Sequence, residues 1–140
     1  MLTCYDIAQR FVGVRETPGV ASTPLVLAML RLDDHSIADD QTPWCSAFAS
    51  WVAWLLRLPR SKSLAARSWL HVGRPIALED AVAGDDIVVL ERGAGGHVGF
   101  YAGRNTDGSV LILGGNQSDA VTIAAFPVDR VLGVRRLTSA

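Results

Sequence analysis

The chain has 140 residues; 49% are apolar, 19% are charged, and 13 basic against 14 acidic side chains leave a net charge of −1. That composition excludes a disordered chain, and the length suits one domain spanning 1–140 that buries its own core. No basic stripe is present, which argues against a nucleic-acid partner, and two cysteines, Cys4 and Cys45, cannot build a disulfide framework.

The start, MLTCYDIAQRFVGV, lacks a basic region followed by an apolar one. The expectation is therefore synthesis in the cytoplasm without a signal peptide. Residues 4–13 carry an amphipathic helical pattern (Ile7, Ala8, Phe11, Val12) closed by Gly13. A second helix is predicted over 22–32, with Ser22 or Thr23 as its cap and Pro24 in its first turn. The polar, acidic stretch 33–43 reads as a solvated loop. From Pro43 the sequence TPWCSAFASWVAWLL turns apolar on nearly all sides, with Phe48, Trp51, Val52 and Leu55 as one stripe, so a buried central helix is expected. Running from Trp44 to Leu58 and carrying Arg57, it is too short for a membrane span, and no integral membrane segment is expected. Residues 63–73 look like one more short helix.

After Gly84 the period changes. DIVVLE, HVGFYAG, SVLILGG, AVTIAAF and RVLGVRRL are short, β-rich and separated by turn residues. Helices followed by strands predict an α+β domain with an antiparallel sheet. There is no internal repeat or linker.

Residues 95–117 read as a hairpin whose turn is Asn105-Thr106-Asp107-Gly108. A turn centred between Thr106 and Asp107 puts His97 opposite Asn116, with Cβ atoms roughly 4.5–5.5 Å apart. Both follow paired glycines, Gly95-Gly96 and Gly114-Gly115, which leave room for another chain segment. Cys45 stands at the predicted start of the apolar helix. There the unpaired N–H groups and the macrodipole favour a thiolate, an adjacent imidazolium lowers its pKa further, and the same N–H groups suit an oxyanion. Asn116 would hold the ring through its second nitrogen, as in Cys-His-Asn sites.

With PWCSAF, GGHVGFY and LGGNQ in this order, the sequence resembles the papain-like CHAP amidases (cysteine, histidine-dependent amidohydrolase/peptidase) and the related NlpC-type cell-wall peptidases, over about residues 5–137. The resemblance implies a papain-like fold with the nucleophile helix packed on an antiparallel sheet. It also implies metal-free, cofactor-free hydrolysis of amide bonds in peptidoglycan peptides. Carried over by motif, Cys45 is the nucleophile, His97 the base and Asn116 the third polar residue, a place that an acidic residue or a second histidine takes in some members. Gln41 and Trp44, just before the nucleophile, are candidates to line the substrate cleft, and Trp69 and Gln117 join them.

Plainer readings stand beside these. A buried cysteine at an apolar helix is most often structural, His97 could be a satisfied strand histidine, and Asn116-Gln117 could simply open a turn. Cys4, His35 and His71 read as structural or surface residues, and the spacing lacks the pairs of a zinc site. The expected function is a cysteine amidase or endopeptidase, most readily a monomer. It would act on the cell wall after host lysis or export, as a phage endolysin or an antibacterial effector (of the type VI secretion kind) with an immunity protein. The alternatives are a non-catalytic wall-binding domain of the same shape, or a thiol hydrolase or acyltransferase on protein or lipid amides.

Overall fold

The computed structural model describes residues 1–17, 23–34, 43–93 and 95–138. Three α-helices come first: α1 (Cys4–Gln9), α2 (Pro24–Leu30) and α3 (Cys45–Leu55). Six strands follow: β1 (Arg74–Ile76), β2 (Asp86–Arg92), β3 (Gly95–Arg104), β4 (Val110–Gln117), β5 (Ala120–Phe126) and β6 (Val131–Arg136). The strands form one antiparallel sheet in the order β1-β6-β2-β3-β4-β5. This is the α+β arrangement expected from helices preceding strands.

Local chemistry sets the element ends. Thr3 and Asp6 form a capping box at α1: the Asp6 N–H donates to the Thr3 hydroxyl at 3.3 Å, and the Thr3 N–H donates to the Asp6 carboxylate at 2.9 Å. Gly13 turns the chain at φ +100° and donates its N–H to Val121 O. At α2, Pro24 takes the first turn as expected, but Thr23 does not cap with its side chain; its hydroxyl donates to Arg15 O. Ser22, the other expected cap, lies outside the described residues.

The sheet buries both faces. On one, α3 packs through Phe48, Ala49, Val52 and Ala53 against Ile87, Val89, Val98, Phe100 and Leu113. On the other, Val88, Leu90, Tyr101, Val110, Ile112 and Val134 form a second cluster. A strand covered on both sides reads as a continuous apolar run, which is why IVVL carries no alternation. The first two turns of α3 are buried all round, as predicted. Its end is not: Trp54 and Leu55 emerge into solvent, because the helix runs past the edge of what it covers.

Two features were not legible in the chain. Strand β1, Arg-Pro-Ile, pairs only with β6 at the sheet edge; proline is tolerated there because an edge strand needs half its ladder bonds. The segment predicted as a helix over 63–73 is a 3-10 turn over Ala66–His71. Far from the cysteine, buried Asp86 receives two bonds from the Arg136 guanidinium, at 2.7 and 2.9 Å, and one from the Val82 N–H. This pair ties β6 to β2.

Candidate active site

Cys45 is the first residue of α3. The cap position before it is Trp44, which has no side-chain acceptor, so no cap bond closes the helix start. The N–H groups of the first turn are left to other partners. Ser46, the next residue, anchors the turn from behind: its buried hydroxyl donates to Ser63 O and accepts from the Trp69 indole N–H at 2.8 Å. Gly115 lets β4 lie directly against this turn. A Cβ there would come within 2.7 Å of Phe48 and 2.8 Å of the Trp44 ring.

Next to the turn the hairpin is one residue off the expected register, with Gly103 facing Leu111 and Arg104 facing Val110; a bulge between Tyr101 and Gly103 then restores it, so that Tyr101 faces Ile112 and Phe100 faces Leu113. Had it continued, His97 would have met Asn116. It does not continue, because the pairing of β4 with β5 shifts by one residue between Gly114 and Gln117, with Asn116 at φ +56°. Side chains alternate across a sheet, so one extra residue moves position 117 onto the face that 116 was to occupy. The partner of the imidazole is therefore Gln117, whose Oε1 lies 2.8 Å from His97 Nε2. Placement of Asn116 on that ring is thus corrected. Asn116 is half-buried, and its carbonyl accepts from Arg92 at 3.5 Å. Gly114 makes the His97–Gln117 pair possible, because a Cβ there would fall 2.6 Å from the Gln117 oxygen.

The hydrogen bonds fix the protonation pattern. Gln117 Nε2 donates to Ile112 O, Thr122 O and the Thr122 hydroxyl, at 3.2, 2.9 and 3.0 Å. Carbonyl oxygens only accept, so the amide nitrogen points to them and its oxygen points to the ring. His97 Nε2 must then carry the proton, and in the neutral ring Nδ1 holds the lone pair. That Nδ1 is buried without a hydrogen-bond partner; it shares this condition, among the described residues, only with the Trp44 indole nitrogen. An unmet buried polar atom costs about 1–3 kcal/mol; Trp44 stands at the cap of α3, and the Cys45 sulfur does not hydrogen-bond the His97 ring.

Burial decides the electrostatics. Desolvation pushes the His97 imidazole down to about 4, opposed by the Gln117 bond and reinforced by the Arg92 charge. Desolvation likewise raises the Cys45 thiol, against lowering by the Val98 N–H, the Arg92 guanidinium and the N–H groups of Ser46 and Cys45. The Val98 N–H thus sets the sulfur beside the residue that follows His97. The expected thiolate at a helix start is not the resting form; both groups rest neutral, because removal from water outweighs the helix terminus here.

The cleft candidates fare differently. Trp44 and Trp69 are fully buried and wall no open cleft: one packs under Gly115 and the other holds Ser46. Gln117 is 3% exposed and belongs to the histidine rather than to a cleft. Gln41 lies outside the described residues, as does His35. Arg92, which no sequence pattern singled out, acts electrostatically on both Cys45 and His97; only the strand pairing brings it there.

A helix-start thiol packed on an antiparallel sheet beside a strand histidine defines a papain-like α+β protein. In a comparison with solved structures, the structure of NlpC1 from Trichomonas vaginalis superposes with a TM-score of 0.59 at 19% identity, covering 97% of this chain and 44% of that one. The chain thus spans less than half of that neighbour's length. The CHAP domain family model matches residues 37–116; the chain belongs to the CHAP domain family, a peptidoglycan-hydrolase-type family. The match contains Cys45, His97 and Asn116 and stops one residue short of Gln117. No curated protein matches the chain. No helix among the described residues is long and apolar enough to cross a membrane.

Proposed function

We propose that the chain is a cysteine amidase or endopeptidase that cuts an amide bond in the peptide part of peptidoglycan, through one domain spanning 1–140. Cys45 is the nucleophile, His97 the general base and acid, and Gln117, in place of Asn116, holds the ring. The observation that carries this reading is the placing of the Cys45 sulfur, at an uncapped helix start, against the Val98 N–H, one residue after a histidine whose Nδ1 lone pair is fixed by the Gln117 bonding pattern.

Starting from the neutral pair, the thiol proton passes to Nδ1 as sulfur attacks the amide carbonyl. The resulting oxyanion is met by the open N–H groups at the start of α3. The C–N bond then breaks, and the departing amine takes the proton from Nδ1. Water attacks the thioester and gives one proton to Nδ1; the C–S bond breaks, and the proton returns to sulfur. Gln117 accepts from Nε2 throughout and stabilises the imidazolium formed in each half. Keeping both groups neutral at rest defers charge separation to the attack itself.

The test is product analysis of purified peptidoglycan. Wild-type protein should release peptides with a new carboxyl and a new amino end in equal amounts, and Cys45→Ala should release none while melting as the wild type does. Digestion that survives this substitution would sink the proposal.

A further inference from the structure

The arginines of this chain differ in how they are satisfied. Arg136 and Arg60 are paired with Asp86 and Asp33, and Arg67, Arg104 and Arg135 each donate twice to backbone carbonyls. Arg92 is exposed, has no ion-pair partner among the described residues, and makes one 3.5 Å contact, from Nη1 to Asn116 O. Its other donors make no hydrogen bond among the described residues. Its position is unusual too. Arg92 ends β2 opposite Gly95 and reaches a carbonyl on β4, so its side chain crosses the start of β3, two residues before His97. A cavity of about 420 Å³ opens beside it, lined by Glu91, Arg92, Gly93 and Arg130. Its two guanidinium groups outnumber its single carboxylate.

A planar guanidinium with free donors matches a carboxylate in charge and in fork geometry. We infer that Arg92, with Arg130 behind it, is a specificity-determining residue that receives a free carboxylate of the substrate at the rim of the Cys45–His97 site. The inference rests on the amide-hydrolysis reading and names the substrate class within it: peptides with an unamidated carboxylate next to the bond to be cut. Arg92 could instead act only by lowering the thiol, and the two roles separate experimentally.

The probes are a wall-derived peptide with a free α-carboxylate beside the scissile amide, and the same peptide with that carboxylate converted to a carboxamide. Wild type should prefer the free acid in kcat/KM by about tenfold to a hundredfold, the size of a charge-assisted hydrogen bond. Arg92→Gln should erase that preference by slowing the acid peptide about tenfold to a hundredfold more than the carboxamide, whatever common slowing follows from the loss of its charge at Cys45, and Arg92→Lys should restore part of it. Equal slowing of both peptides by Arg92→Gln, or no preference in the wild type, overturns the inference. Binding of the two peptides to Cys45→Ala, with and without Arg92→Gln, gives a readout independent of turnover. If the wild type cleaves neither peptide, the function proposal falls, while selective acid binding lost with Arg92 would still uphold the carboxylate site. Absence of selective binding would end it as well.

Discussion

Two helices of this chain begin with a cysteine, and the pair forms an internal control. Cys4 opens α1 and Cys45 opens α3; both are free and buried. The start of α1 is closed by the Thr3–Asp6 capping box, and the Cys4 N–H donates to the Asp85 carboxylate at 2.9 Å. Burial and that carboxylate push the Cys4 thiol far up. The start of α3 has no side-chain cap, and the charge that its thiol feels is the Arg92 guanidinium, which pulls it down against burial. A helix terminus by itself does not set the acidity of a buried thiol. The sign of the nearest charge and the state of the cap separate the two.

The most decisive way to break the comparison is to remove each sulfur. Cys45→Ala should lower amide hydrolysis by about four orders of magnitude or more, and Cys4→Ala should leave kcat unchanged while costing about 1 kcal/mol of stability. Turnover on wall peptides and thermal melts of both variants read this out, and equal kinetic effects would erase the distinction. Next in size is the assignment of the ring partner. Gln117→Ala should lower kcat by about 10²–10⁴-fold, whereas Asn116→Ala should change it only a few-fold; the reverse order would restore Asn116.

Burial of the site also ties stability to pH. The folded ring has a pKa of about 4 against 6.5 in the free side chain, so between those values the unfolded chain binds a proton that the folded chain refuses. Stability is whole above about pH 6.5 and is lost as pH falls toward 4, by about 3 kcal/mol at most. Denaturant titrations at pH 7 and 4.5 should show the loss, and His97→Gln should flatten it. The smallest effect concerns how closely β4 fits the α3 start. Gly115→Ala should destabilise by about 1–3 kcal/mol through its clash with Trp44 and Phe48. A melt unchanged from the wild type would mean that the two segments do not meet as closely as described.

Much of the molecule was legible before any coordinates. The apolar run after Pro43 announced α3, the glycine-bounded β-rich segments announced β2 to β6, and Asn105–Gly108 announced the turn between β3 and β4, although Phe100 meets Leu113 only because a bulge between Tyr101 and Gly103 shifts the register set at that turn. Cys45 stood out because it falls at a helix start, where a thiolate is favoured, and His97 because the hairpin sets it near a second polar side chain. Gln117 was missed as the ring partner because a register counted outward from a turn assumes an unbroken ladder. The shift near Gly115-Asn116 could have been suspected from the glycines alone, but its exact position could not. Trp44 and Trp69 were assigned to a cleft because an aromatic side chain near a nucleophile carries no mark of which way it faces.

The sequence by itself determined which segments are helix or strand, since periodicity and turn chemistry are local properties. It also placed a thiol at a helix start and an imidazole at a strand start. Only the tertiary structure decided which amide meets the imidazole, that the Cys45 thiol and that ring rest neutral, and that the Arg92 charge acts on both. Those outcomes depend on a one-residue bulge, on desolvation and on cross-strand reach, and each of these arises from segments brought together in space rather than from any one stretch of chain.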